Sequence, residues 1–168
     1  MKRLLAAAVL IAAFAANAAA ESPVKLSLFD QIAWPQTEKA NVVIGLIDNN
    51  TPAVHGVDLN LFSARTDELR GLQSAWIYNR ATDMKGLQYS IVTRTDNAVG
   101  VELGVANFAG TFTGLQYGFY NKADNFTGLQ LGFVNNINTI DKGLQIGLVN
   151  IIHNNGWLPF MVIVNGRF

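Results

Sequence analysis

The chain contains no cysteine and only two histidines among its 168 residues. Without cysteine it can form neither a disulfide bond nor a thiolate metal site, so its stability must come from packing and hydrogen bonding. Charged residues make up only 14% of the sequence, and positive and negative ones balance. A nucleic-acid-binding protein would need a basic face, so we expect no nucleic-acid partner.

Long apolar runs are also missing from residue 21 onward, and no stretch there approaches the length of a transmembrane helix. The segment 1–20 differs from the rest. It begins with Lys2 and Arg3 after the initial Met, continues through an apolar run over 4–15, and ends in three alanines. This order is typical of a cleaved secretory signal. We therefore expect residues 1–20 to be removed and residues 21–168 to form a single domain of net charge −2.

An eight-residue phrase recurs along most of the chain. Its clearest copies are GLQYGFYN (114–121), GLQLGFVN (128–135) and GLQIGLVN (143–150). Weaker copies start at residues 41, 56, 71, 86, 100 and 158, so that neighbouring copies lie 14 or 15 residues apart. A constant period indicates one structural unit repeated side by side.

Within each copy, apolar residues alternate with small or polar ones. In the last clear copy, Leu144, Ile146 and Leu148 alternate with Gln145, Gly147 and Val149. A period of two predicts strands, and Asn, Asp and Gly between the copies predict turns. The repeat gives nine strands, and the segment 23–29 supplies a tenth by the same criterion.

The two faces of these strands differ in chemistry. One carries large apolar residues without charge, and the other carries a polar column: Asp58, Gln73, Gln88, Glu102, Gln116, Gln130 and Gln145. This pattern predicts an all-β fold, an antiparallel up-and-down transmembrane β-barrel of about ten strands built from 14–15-residue repeats. Its apolar face would meet lipid, and the polar column would line the lumen. Aromatic residues near strand ends or turns would suit the membrane-interface belt of such a barrel: Trp34, Trp76, Tyr78, Phe108, Phe112, Phe126 and Trp157.

A parallel β-solenoid is the alternative. Stacking identical units would bury the leucine column and present the glutamines as a ladder. The uniform spacing favours this fold, because outer-membrane barrels alternate short turns with long loops. Against it, each unit shows only one clear strand, and the outer surface would be apolar for a protein in water.

The phrase GLQ-[ILY]-G-[LF]-[VY]-N, together with the N-terminal signal and the aromatic C-terminus, resembles the bacterial GLQ-type surface-repeat proteins over residues 41–168. The first half departs from the pattern at Asp58, Asn60, Trp76 and Arg94. The resemblance implies export and a place at the cell surface, but no activity. The apolar last strand ending at Phe168 also resembles the assembly signal of outer-membrane barrels.

Residue patterns for catalysis are missing. His55 and His153 lie in predicted turns without partners at metal-ligand or general-base spacing, and no phosphate loop, dinucleotide fingerprint or nucleophile motif occurs. Asp58 and Glu102 could perturb each other's pKa inside the fold, but separate hydrogen bonds to neighbouring amides are favoured. We expect no enzyme activity, no cofactor and no metal.

These observations predict an integral protein of the bacterial outer membrane or cell surface, either a narrow channel or a structural envelope protein. Its partners would be outer-membrane lipid and, during biogenesis, the barrel-assembly machinery. The alternative is a secreted β-solenoid surface module that binds a ligand or partner, whose identity the residues do not indicate.

Overall fold

The computed structural model describes residues 18–30 and 32–168, with side chains from residue 21 onward. The predicted signal lies mostly in residues 1–17, outside the described residues. The described residues form these strands: β1 (Ala18–Phe29), β2 (Ile32–Trp34), β3 (Gln36–Gly45), β4 (Asp48–Asn50), β5 (Ala53–Asn60), β6 (Ser63–Ser74), β7 (Tyr78–Tyr89), β8 (Val92–Leu103), β9 (Ala106–Asn154) and β10 (Phe160–Arg167). Within these ranges, no helix is long and apolar enough to cross a membrane.

Successive repeats pair in parallel and in register. Gly56 pairs with Gly71, Gly71 with Gly86, Gly86 with Gly100, and Gly100 with Gly114. Partners in each pair are therefore one repeat apart in the sequence, which means that the chain completes one coil per repeat. The fold is a parallel β-solenoid.

The all-β prediction is confirmed, but the antiparallel barrel is wrong. In an up-and-down barrel each repeat would run opposite to the next, whereas β5 to β9 all pair in parallel. The alternation along one strand is the same in both folds, because a pleated strand has two faces whichever way its neighbour runs. Periodicity therefore left the direction of pairing open.

The coils within β9 bend without leaving the extended conformation, whereas in the earlier coils one strand ends and the next begins at the bend. β9 is one strand of 49 residues and includes several repeats. One bend follows the GLQ segment: Trp76 N donates to Leu61 O, Ile91 N to Trp76 O, and Val105 N to Ile91 O, so residues at this bend stack on one another. This explains why each repeat shows one strand in the sequence although it turns completely round.

The first glycine of the phrase is required by the stacking. Gly114 has φ of 138°, and a Cβ added to it would lie 1.9 Å from the carbonyl oxygen of Gly100 in the coil below. The second glycine is required by the stacking as well and also makes room for a side chain. A Cβ on Gly118 would lie 2.3 Å from the carbonyl oxygen of Gly104 in the coil below and 2.7 Å from Nδ2 of Asn107 inside the coil.

The apolar core comes from residues that lie between the clear copies of the phrase. One buried apolar column runs through the coils: Val54, Leu69, Met84, Ala98, Phe112, Phe126 and Ile140. The rings of Phe112 and Phe126 stack with centroids 5.8 Å apart. The leucines of GLQ, which the solenoid alternative placed inside, instead point outward and are half-buried, as Leu87, Leu115 and Leu129 illustrate.

The two ends of the solenoid depart from parallel stacking. At the first end, β1 pairs in parallel with β3 and in antiparallel with the short β2. The predicted strand at 23–29 falls within β1. At the other end, β10 pairs in antiparallel with the last coil of β9 and covers it. The coils between these ends carry the repeated surface.

Candidate functional site

The polar column predicted to line a lumen lies inside the solenoid. All seven of its side chains are fully buried: Asp58, Gln73, Gln88, Glu102, Gln116, Gln130 and Gln145. We call this column the glutamine ladder. No ligand outside the solenoid can reach it.

Hydrogen bonds run along the glutamine ladder in one direction. Nε2 of Gln145 donates to Oε1 of Gln130 (2.9 Å), and Gln130 donates in the same way to Gln116 (2.6 Å). Gln88 donates to Gln73 (2.8 Å) in the earlier coils. Each of these amide side chains thus donates to the coil below, which satisfies polar groups that burial would otherwise destabilise.

An asparagine ladder runs beside it in the opposite direction: Asn107, Asn121, Asn135 and Asn150. Nδ2 of Asn107 donates to Oδ1 of Asn121 (2.7 Å) and also to the backbone oxygen of Tyr117 (2.9 Å). Asn121 repeats this with Asn135 and the backbone oxygen of Leu131. Asn107, Asn121 and Asn135 therefore each donate to both a side chain and the backbone of the next coil, whereas Asn150 donates to Gly147 O of its own coil.

Glu102 interrupts the glutamine ladder. It accepts hydrogen bonds from Nε2 of Gln116 (2.7 Å) and Oγ1 of Thr95 (2.6 Å). Oε1 of Gln88, the next group down, has no hydrogen-bond partner among the described residues. Burial raises the pKa of Glu102 to about 7, and the two hydrogen bonds oppose that rise. A protonated Glu102 could supply the donor that Gln88 lacks, whereas the carboxylate cannot.

Asp58 is the first member of the same ladder in the sequence and the last acceptor of its chain of hydrogen bonds. It accepts hydrogen bonds from Gln73 (2.9 Å), Asn60 (2.6 Å) and Asn49 (3.2 Å). Burial raises the pKa of Asp58 to about 6 against these bonds and the nearby Lys25. Gln73 and Gln88 separate it from Glu102 along the ladder. The two carboxyl groups are therefore bound separately and form no joint cation site.

Side chains fill the centre of the coils, so the channel that we considered from the sequence has no counterpart in residues 48–154. The apolar column occupies one half of the interior and the two ladders occupy the other. The surface is where a function can reside. Among the described residues, no three metal-ligating side chains come together.

An apolar surface runs along the bend that follows the GLQ segment. Its ridge carries one large side chain per coil, each between 43% and 71% exposed: Leu61, Trp76, Ile91, Val105, Phe119, Phe133 and Leu148. A second exposed row lies beside the ridge: Leu59, Tyr89, Tyr117 and Ile146. Phe119 and Phe133 stack with ring centroids 4.8 Å apart. A groove of about 370 Å³ lies on this surface between Trp76, Tyr89 and Tyr117.

Cations border the earlier coils of the apolar surface on both sides, and Phe108 and Val99 are the next residues in the two columns. Arg65, Arg80 and Arg94 stack in register along one border. Arg70 and Lys85 stack along the other. Acidic residues lie at the opposite bend of the coils, which we call the acidic corner: Asp67, Asp83, Asp96 and Asp124. The outer surface is thus divided into an apolar part, two basic borders and an acidic corner.

The other residues singled out from the sequence lie apart from this surface or at its ends. His55 Nε2 is 3.3 Å from Oε1 of Glu68, while His153 is exposed. Phe168 is 83% exposed, and its ring centroid lies 5.3 Å from that of Trp157. Of the aromatics that we assigned to a membrane-interface belt, Phe112 and Phe126 are buried, so that assignment is wrong for these two.

Sequence reasoning missed the two basic borders and the acidic corner. Their signal was present, because Arg65, Arg80 and Arg94 recur at the repeat period and each is followed closely by an aspartate. Without the coil geometry, these charges resemble ordinary turn residues.

Comparison of the chain with family models, with curated proteins and with solved structures gave no match.

Proposed function

We propose that the protein is an exported, non-enzymatic module of a bacterial cell envelope that binds a partner through the apolar surface of its solenoid. The observation that supports this most strongly is the apolar ridge from Leu61 to Leu148, whose side chains are exposed in every coil. Contiguous exposed apolar surface of this kind marks an interaction site on a folded protein.

The scaffold suits such a role. Two interior ladders and a buried apolar column fix the spacing of the coils, so the ridge residues are held at roughly 4.8 Å intervals. A rigid row of apolar side chains loses little conformational entropy on binding. Export is supported by the order of residues in 1–20, and the surface location by the resemblance of the repeated phrase to bacterial surface-repeat proteins.

Export can be tested in a Gram-negative host by following the chain into the cell envelope. The full chain is compared with a variant carrying Val9→Arg and Leu10→Arg, which interrupts the apolar run of the expected signal. We expect the unaltered chain to begin at Glu21 and to leave the cytosol, and the variant to stay there uncut. Mass spectrometry of the N-terminus and cell fractionation measure both outcomes. An uncut, cytosolic unaltered chain would contradict the proposal.

Envelope association is tested in the same fractions. A variant with Phe119→Ser and Phe133→Ser removes two stacked rings from the ridge, and Thr111→Ser with Asn125→Ser changes exposed residues at the opposite bend of the same coils. We expect the ridge variant alone to move from the envelope to the soluble fraction. Equal distribution of the two variants would mean that the apolar surface is not the binding site.

A further inference from the structure

We propose that the partner of the apolar surface is an anionic lipid bilayer, onto which the solenoid lies with its ridge inserted and its two basic borders at the headgroups. This inference deepens the proposed function and rests on it for the identity of the binding surface. It follows from the arrangement of charge around the ridge.

The apolar surface is free of accessible negative charge. Seven segments carry it through the coils: 55–65, 70–80, 85–94, 99–108, 113–122, 127–136 and 142–151. The two carboxyl groups in these segments belong to Asp58 and Glu102, whose side chains are fully buried. A surface that excludes carboxylates can approach phosphate headgroups without like-charge repulsion.

The cations stand where a bilayer would need them. Arg70 precedes and Arg80 follows the apolar stretch of one coil, and Lys85 and Arg94 flank that of the next. Long basic side chains beside an apolar face can bury their methylene stems while the charged groups reach the interface. This is the order of groups in interfacial membrane anchors, with apolar residues in the centre and Lys or Arg at the margin.

The stacking of these cations also calls for an anion. Arg65, Arg80 and Arg94 pair directly across neighbouring strands, which places like charges roughly 4.8 Å apart in backbone spacing. Arg65 pairs with Asp48, Arg70 with Glu68, and Arg80 lies 3.8 Å from Asp96. Within the described residues, Arg94 and Lys85 belong to no ion pair. Lipid phosphates would supply the anion that these two cations lack.

A second copy of the chain fits the surface less well. A two-fold pairing brings the same surface of both copies together, so basic borders would face basic borders. Like-charge contacts of this kind disfavour association. A bilayer has no such conflict, since its headgroups carry the opposite sign.

Vesicle co-sedimentation tests the inference. The full-length chain carries Val9→Arg and Leu10→Arg, so that the apolar run of residues 4–15 cannot anchor it and export plays no part in the result. It is mixed with vesicles of phosphatidylcholine alone or of equal parts phosphatidylcholine and phosphatidylglycerol. We expect binding to the anionic vesicles, weaker binding to the neutral ones, and a fall in binding as salt is raised.

Two sets of variants separate the apolar and the basic contributions. Phe119→Ser with Phe133→Ser should weaken binding about tenfold or more, since two apolar rings no longer insert into the bilayer. Arg94→Gln and Lys85→Gln should each weaken it about fivefold, on anionic vesicles only. Asp83→Asn and Asp124→Asn each remove one charge from the acidic corner by replacing a carboxylate with an amide. These two control variants should leave binding unchanged or slightly stronger.

Circular dichroism and thermal melting verify that the variants keep the fold. The inference is overturned if the chain binds neither vesicle, if the ridge variant binds as well as the parent, or if light scattering shows a dimer that only the ridge variant loses. If the chain binds neither vesicle but its association with the envelope in cells is still abolished in the ridge variant, the proposed function remains, with a protein as the partner. Loss of export with intact vesicle binding would reject the proposed function alone.

Discussion

The coils before residue 106 and those of β9 stack in the same way but fill their interiors differently. In β9 the ladder positions are uniform, with Gln116, Gln130 and Gln145 in one row and four asparagines in the other. In the earlier coils, carboxyl groups occupy two glutamine positions, and Thr93 interrupts the asparagine column between Asn79 and Asn107. An amide side chain both donates and accepts hydrogen bonds, so a row of amides can continue from coil to coil, whereas a carboxylate can only accept them. The comparison indicates that β9 is the more stable half.

The largest effect should come from the feature that both halves share, the close contact between glycines of neighbouring coils. We expect Gly114→Ala to cost more than about 4 kcal/mol, because its Cβ would meet the oxygen of Gly100 and its φ disfavours a side chain. Chemical denaturation followed by circular dichroism measures this. The neighbouring exposed Thr113→Ala is the control and should stay within about 0.5 kcal/mol of the parent. Similar stability of the two variants would mean that the coils can separate locally at no great cost.

The apolar column should show the next largest effect, and it differs between the halves. In β9 it holds the stacked Phe112 and Phe126, whereas Ala98 occupies the position before them. We expect Phe126→Ala to destabilise the fold by about 3–5 kcal/mol, because a ring is lost from a packed site. Denaturation midpoints of this variant and of Thr127→Ala, half-buried beside it, provide the measurement. A loss below about 1 kcal/mol would show that the column is not the main core.

Glu102→Gln should remove the difference between the halves at the glutamine ladder. A glutamine at this position can donate to Oε1 of Gln88 and still accept from Gln116, as its neighbours in β9 do, although the Thr95 hydroxyl loses its acceptor. At pH 8 we expect a gain in stability of up to roughly 3 kcal/mol, from the pKa of about 7 against the ordinary 4.5. Asp58→Asn should not give the same gain, because Asp58 accepts three donors that a single amide oxygen cannot all satisfy.

The same variant changes the dependence of stability on pH. The folded-state pKa of Glu102 is raised, so the folded chain holds a proton that the unfolded chain releases. Stability from this proton is full below about pH 4.5 and is lost as the pH rises through about 7. Asp58 acts with the same sign between its ordinary 3.8 and about 6. Unfolding curves from about pH 4 to 8 should therefore fall for the parent and flatten above about pH 6 for Glu102→Gln. A parent curve that rises across this range would contradict both assignments.

The smallest effect should come from breaking the regular ladder at one point. Asn121→Ala removes the acceptor of Asn107 and the donor to Leu131 O and Asn135, and we expect a cost of about 1–3 kcal/mol. Asn125→Ala, exposed in the same coil, is the control. If both variants unfold at the same denaturant concentration, the asparagine ladder contributes little, and the contrast between the halves must arise from the glutamine ladder and the apolar column.

The strand content and the repeat period could be predicted from particular residues. The alternation of Leu144, Ile146 and Leu148 with Gln145 and Gly147 identified a strand with unlike faces. The residues assigned to turns were harder, since Ile140 and its equivalents lie among Asn, Thr and Asp in the sequence yet form the buried apolar column. A local pattern cannot tell a corner that faces solvent from one that contributes a side chain to the interior.

The charged borders of the candidate site escaped prediction for a related reason. Arg80 and Arg94 lie one repeat apart in the sequence, and only parallel pairing in register places them side by side. In an antiparallel arrangement the same residues would stand at separate places along the sheet. The basic border is therefore a property of the stacking and not of any single segment.

The amino-acid sequence by itself determined that this chain forms strands, that they recur at a constant period, and which side chains share a face. These follow from the alternation along a pleated backbone, which is a local property. Only the tertiary structure decided that neighbouring repeats run parallel, that the glutamines bond to one another in a filled interior and line no lumen, and that the apolar residues form one ridge whose earlier coils lie between basic borders. Those outcomes depend on hydrogen bonds between coils, and a bond between residues of different coils leaves no mark in the pattern of either one.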